Sequence, residues 1–120
     1  FQVERVVGDR GLTILLNNAG IAVSYSTYQK PNRADIIKNF DTNAAGVAVL
    51  TQTFLPLLRK AAAQVSTNEF SVNRAAILSI SSEAGSIAGN TSGGMLAYRI
   101  SKVISTMRYT DLQTSILSFI

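Results

Sequence analysis

The chain reads as an α/β domain built on part of a doubly wound parallel sheet. Three observations predict this. Two short apolar runs, Leu-Thr-Ile-Leu-Leu at 12–16 and Ala-Ala-Ile-Leu-Ser-Ile at 75–80, have the length and composition of strands covered on both faces. The long stretch of helical periodicity between them suits a parallel crossover rather than a hairpin. Each run ends in a polar cluster, Asn17-Asn18-Ala19-Gly20 and Ser81-Ser82, at the strand carboxyl end, where ligands of such sheets sit.

The elements follow in order. After the first strand comes a polar loop with Tyr25, Tyr28 and Pro31. Asn32 is placed to cap a helix, with Asp35 in the first turn where the dipole favours it. Ile36, Ile37, Phe40, Ala44, Val47, Ala48, Leu50, Thr51, Phe54, Leu55 and Leu58 recur at helical spacing, so one helix is predicted over about 33–63. Pro56 should kink it or mark a junction. Residues 66–73 form a polar connection to the second strand. The Gly- and Ser-rich stretch 85–94 is loop. A second helix starts near Gly94 or Met95, carries Tyr98 and runs to about Leu112. A third strand is expected within 115–120.

Composition removes several function classes. Of 120 residues, 47% are apolar and 15% charged, which supplies a core and argues against disorder. There is no cysteine and no histidine, so disulfides, thiolate metal sites and Ser-His-Asp triads are excluded. Seven scattered Asp and Glu make a poor metal site, and none is expected. The net charge of +4 is spread without a basic run, so nucleic-acid binding has no support. No signal peptide and no membrane-length apolar run is seen, and a cytoplasmic protein is expected. The first residue is Phe1 rather than Met, which reads as a fragment or an incomplete gene model. Proton chemistry is left to Asp, Glu, Lys and Tyr.

Tyr98 and Lys102 lie four apart on the second helix and share a face. A lysine ammonium beside a phenol favours the phenolate, which equips such a tyrosine to give or take a proton. Taken alone, the pair is also what chance places on many helices. Ser82 ends the second strand sixteen positions earlier and can donate to the substrate oxygen that Tyr98 would protonate. The plain alternative is a serine bonded to its own backbone. Asn43 falls mid-helix, either as a surface polar residue or as a local break that orders a water. Gly20 permits a tight turn or the close approach of a ligand.

Taken together these features resemble the classical short-chain dehydrogenases/reductases. The carriers are Asn17-Asn18-Ala19-Gly20, Asn43-Ala44-Ala45-Gly46, Ser81-Ser82 and Tyr98-Arg99-Ile100-Ser101-Lys102, in the family's order. The loop Gly85-Ser86-Ile87-Ala88-Gly89-Asn90-Thr91-Ser92-Gly93-Gly94, followed by Ala97-Tyr98-Arg99, resembles the sniffer-like carbonyl reductase subgroup. Extended-type epimerases also use Tyr-x-x-x-Lys, but the Asn-Asn-Ala-Gly loop favours the classical type.

The resemblance implies a Rossmann-type fold and NAD(P)-dependent carbonyl reduction or alcohol oxidation, with NADPH preferred to NAD. Tyr98 is then the acid/base, and Ser82 polarises the substrate oxygen. Lys102 supports the phenolate and binds the nicotinamide ribose. Asn43 holds a water in a proton relay. Asn17, Ala19 and Gly20 line the adenosine-ribose side, and Asn18 steadies the sheet. The partners implied are a small carbonyl or alcohol and a second copy of the chain, met through the Asn43 and Tyr98 helices.

Against the family pattern, nothing in residues 1–11 resembles the Thr-Gly-x-x-x-Gly-x-Gly turn that receives the pyrophosphate at a helix amino end. The chain is therefore expected to lack the amino-terminal βαβ unit, the last strand and the lid. Between Lys102 and Asp111 it is about one helical turn, roughly 3.6 residues, shorter than the family pattern. Such a piece, expressed alone, is expected to fold poorly and turn over no substrate. A catalytically silent, dehydrogenase-like binding or regulatory partner is the alternative reading.

Overall fold

The computed structural model describes residues 2–66, 71–105 and 117–119. They run α1 (Gln2–Val7), a 3-10 turn (Gly8–Arg10), β1 (Ile14–Asn17), α2 (Arg33–Phe40), a π turn (Asp41–Ala45), α3 (Gly46–Ala62), β2 (Ala76–Ser79), a 3-10 turn (Glu83–Gly85), α4 (Leu96–Ser105) and β3 (Leu117–Phe119). The strands form one parallel sheet in the order β1-β2-β3, so the α/β reading holds. Ile14 pairs with Ala76 and Asn17 with Ser79, while Ala76 and Leu78 pair with Leu117 and Phe119.

The chain divides into two compact units. The first comprises 1–17, 50–79 and 108–119, and the second 18–49, 80–107 and residue 120.

The first unit holds the sheet. Leu15, Leu58, Ala62, Ala75 and Ile77 form its core, with Leu12, Phe54 and Leu55 packed against it. Burying a leucine such as Leu58, at 0% exposure, is worth about 2–3 kcal/mol. The sequence predicts β1 as covered on both faces, and the structure differs. Leu15 and Asn17 are buried, whereas Ile14 and Leu16 stay 46% and 51% exposed. Gly11 (φ 73°) brings the chain against α3, where Leu12 N–H donates to the Leu57 carbonyl at 3.0 Å.

At the surface, Lys60 Nζ bonds Asp9 Oδ1 at 2.8 Å and holds that carboxyl below its ordinary value, by the hydrogen bond first and by charge second. A depressed carboxyl contributes stability above the usual carboxylate range and loses it as pH falls through the lowered value. The pair is exposed, so the contribution is small.

The second unit gathers helices and loops. Asn32 caps α2 as expected, its Oδ1 accepting from Ala34 N–H at 3.0 Å while its amide reaches Asp35 at 2.7 Å. The Tyr25 hydroxyl accepts from Asn32 N–H, and the Tyr25 carbonyl accepts from Leu96 N–H, so one buried tyrosine ties the starts of α2 and α4.

The long helix is irregular at Asn43, one of the two places where the sequence allowed a break, and not at Pro56. α3 runs on through Pro56, and the departure is the π turn, where Gly46 N–H bonds the Asp41 carbonyl five residues back. α4 begins at Leu96, later than Gly94 or Met95. Gly93, Gly94 and Met95 all have positive φ (64°, 71° and 48°), which a right-handed helix cannot include. The expected continuation of α4 to Leu112 and the shortened stretch before Asp111 lie outside the described residues.

Candidate active site

Asn43, Ser82, Tyr98 and Lys102 all fall in the second unit, with Ala19 and Gly20. Asn43 sits at the centre of the π turn, 1% exposed. Its Oδ1 accepts from Ile21 N–H at 2.8 Å, and its amide donates to the Ile21 carbonyl at 2.8 Å and to Ser101 Oγ at 2.9 Å. Ser101 in turn donates to the Tyr98 carbonyl at 2.7 Å. Asn43 is therefore no surface residue. It joins the segment after Gly20 to the turn of α4 that carries Tyr98.

Lys102 is 6% exposed, and its Nζ donates to the Ile80 carbonyl at 3.0 Å. The ammonium stands 5.7 Å from the centre of the Tyr98 ring, as their four-residue spacing predicts. Tyr98 is half-buried, and its hydroxyl carries no hydrogen bond among the described residues. Ser82 caps the 3-10 turn by accepting from Ala84 N–H at 3.1 Å, which leaves its own proton to donate. Gly20 faces the same cluster. A Cβ there would lie 3.3 Å from Asn43 Oδ1 and 3.7 Å from Lys102 Nζ.

Gly85 backs onto the other side of Lys102. A Cβ on it would come within 2.9 Å of the Lys102 carbonyl oxygen, a separation real Cβ atoms essentially never show. Gly85→Ala should displace α4 at Lys102, costing about 1–3 kcal/mol. The thermal unfolding temperature should fall, and an unchanged variant would contradict this packing.

Asn17 lies elsewhere. It belongs to the first unit, 4% exposed, and its amide donates to Thr51 Oγ1 and Ser79 Oγ, both at 3.3 Å. It ties β1 to α3 and β2, the sheet-steadying part that the sequence reading gave to Asn18, while Asn18 is exposed. Two buried contributors were missed, Asn39 and Ser101, both at 0% exposure. The signal for Asn39 is its place one turn before Asn43 on the same helix face.

The groups about Lys102 suit a nicotinamide cofactor: an ammonium with a phenol ring beside it, next to a glycine that leaves room for close approach, while the Ser82 hydroxyl is engaged by Ala84 N–H. No group of three His, Cys, Asp or Glu that could hold a metal occurs among the described residues. No helix among them is long and apolar enough to cross a membrane.

Strand order and parallel register define part of a Rossmann-type α/β frame. Known proteins agree. Sniffer of Caenorhabditis elegans superposes with a TM-score of 0.94 at 44% identity, over 98% of this chain and 54% of that one. The NADPH-bound carbonyl reductase from chicken fatty liver superposes at 0.87 with 33% identity, over 96% of this chain and 45% of that one. C-signal of Myxococcus xanthus is 31% identical over 103 residues, 86% of this chain and 55% of its own length. No family model matches the chain. The chain belongs to the short-chain dehydrogenase/reductase family, in its sniffer-like carbonyl reductase group. It spans about half the length of these relatives.

Proposed function

We propose that the protein carrying this chain reduces a small carbonyl compound, or oxidises the matching alcohol, with NADPH/NADP as hydride carrier and Tyr98 as acid/base. The observation that carries this is the packing of Asn43 and Lys102 about Gly20, with the Tyr98 ring beside the Lys102 ammonium. When bound, the nicotinamide cofactor supplies the hydride, and the chain supplies position and a proton.

Tyr98 gives its phenolic proton to the carbonyl oxygen as charge develops there. Ser82 donates its hydroxyl hydrogen to the same oxygen. Lys102, fixed by the Ile80 carbonyl, keeps a positive charge beside the Tyr98 ring and offers donors to ribose hydroxyls. Both amide hydrogens of Asn43 are committed to Ile21 and Ser101. Asn43 therefore acts in this reading as the tie between the two sides of the site, and a relay water falls to the main chain of the π turn. Ala19 and Gly20 take the cofactor-facing part in this reading.

The preference for NADPH rests on the chicken reductase, whose structure holds it. A homo-oligomer through the Asn43 and Tyr98 helices is supported by apolar side chains left exposed on them: Ile37, Phe40 and Val49 on α2 and α3, Ile100 and Ile104 on α4.

The protein carrying this chain, mixed with NADPH and a reactive dicarbonyl, should oxidise the cofactor above blank. Absence of oxidation across varied carbonyl substrates would defeat the reading. One observation favours a silent binding or regulatory chain, namely that the relative matched over 86% of the sequence bears the name C-signal. A full-length transcript without a Gly-rich phosphate-binding turn would support that second reading.

A further inference from the structure

Asn39 and Asn43 stand one turn apart, and each brackets the backbone of one residue in the irregular segment after Gly20. Asn43 takes the N–H and the carbonyl of Ile21, both at 2.8 Å. Asn39 takes the N–H and the carbonyl of Val23, both at 3.1 Å, and its second amide hydrogen goes to the Asp35 carbonyl at 2.9 Å.

The spacing explains the match. Four helical residues rise about 6 Å, and two extended residues rise about 6.7 Å. In an extended chain, residues 21 and 23 turn their polar groups to the same side, as they would toward a neighbouring strand. The two amides replace that missing strand. Both asparagine side chains are buried, at 0% and 1% exposure.

The bracketed segment begins next to Gly20, whose Cβ position lies 3.7 Å from Lys102 Nζ. Holding Ile21 and Val23 therefore fixes how closely the Gly20 backbone approaches the lysine. Through Ser101 the same clamp reaches the Tyr98 carbonyl.

We infer that Asn39 is a positioning residue: with Asn43 it forms a two-rung amide clamp that sets the Gly20 backbone against Lys102 for cofactor binding. The inference rests on the oxidoreductase reading above.

Two variants test it in the protein carrying this chain. Asn39→Leu keeps the volume and removes all three bonds. Asn39→Asp keeps the acceptor for Val23 N–H and loses the donors. For Asn39→Leu, amide exchange at Ile21 and Val23 should quicken about tenfold, the scale of one lost hydrogen bond, with the Ile77 amide unchanged. The KM for NADPH should rise about tenfold, with kcat within about twofold. Asn39→Asp should keep Val23 protected and give an intermediate KM.

Faster exchange with an unchanged KM would make the clamp merely structural and overturn the inference. Equal quickening at Ile77 would do the same, since the effect would then be global. A wild-type protein that neither binds nor oxidises NADPH would overturn the functional reading, and the positioning role with it. That failure shows before any variant is compared.

Discussion

Tyr98→Phe should lower kcat by roughly 10²–10⁴-fold, the usual worth of a positioned general acid. The fold should be untouched. The Tyr98 hydroxyl makes no hydrogen bond among the described residues, so its removal strands no buried partner. The ring remains for the Lys102 contact at 5.7 Å, so the KM for NADPH should change little. Steady-state kinetics together with thermal unfolding separates the two effects. A variant that keeps wild-type kcat would show that the proton comes from another group.

Gly11→Ala should have the largest effect on stability. The Gly11 backbone has φ 73° and ψ −169°, a region essentially confined to glycine. A Cβ there would also lie 2.5 Å from both Ala61 N and the Leu57 carbonyl oxygen. These are backbone atoms of α3 and cannot swing aside as a flexible side chain would. Strain and overpacking together should cost roughly 3–5 kcal/mol, to be read from denaturant unfolding. A loss below about 1 kcal/mol would mean that the chain does not pass α3 as described.

Much of this architecture is legible in the residues. Leu12 to Leu16 and the run at 75–80 announce strands because short apolar runs ended by Asn-Gly or Ser-Ser clusters have few other uses. Asn32 announces a helix start because its side-chain oxygen can serve the orphan N–H groups. Tyr98 and Lys102 announce a shared face because helical geometry puts positions four apart together.

The π turn at Asp41–Ala45 is legible only in part, as the local break that Asn43 offers beside the reading of a surface polar residue. Inserting one residue into a helix alters neither composition nor apolar content, so nothing else in the run marks it. Asn39 carries only a faint sign, its place one turn before Asn43. A mid-helix asparagine reads as solvent-facing until the segment it brackets is seen, and that segment lies sixteen residues earlier. The adjacent asparagines of Asn17-Asn18 could not be told apart by type. The alternation of β1 decides between them, turning Asn17 inward with Leu15 and leaving Asn18 exposed. The same alternation leaves Ile14 and Leu16 uncovered, which an apolar run alone does not reveal.

The most direct test of the central claim is deuterium transfer from NADPH labelled at nicotinamide C4 to a dicarbonyl substrate, followed by mass spectrometry. The wild-type protein carrying this chain should place deuterium on the new carbinol carbon, and Tyr98→Phe should form almost none of that product. A wild-type protein that binds NADPH yet transfers no deuterium, or a Tyr98→Phe variant that transfers it at the wild-type rate, would contradict the assignment.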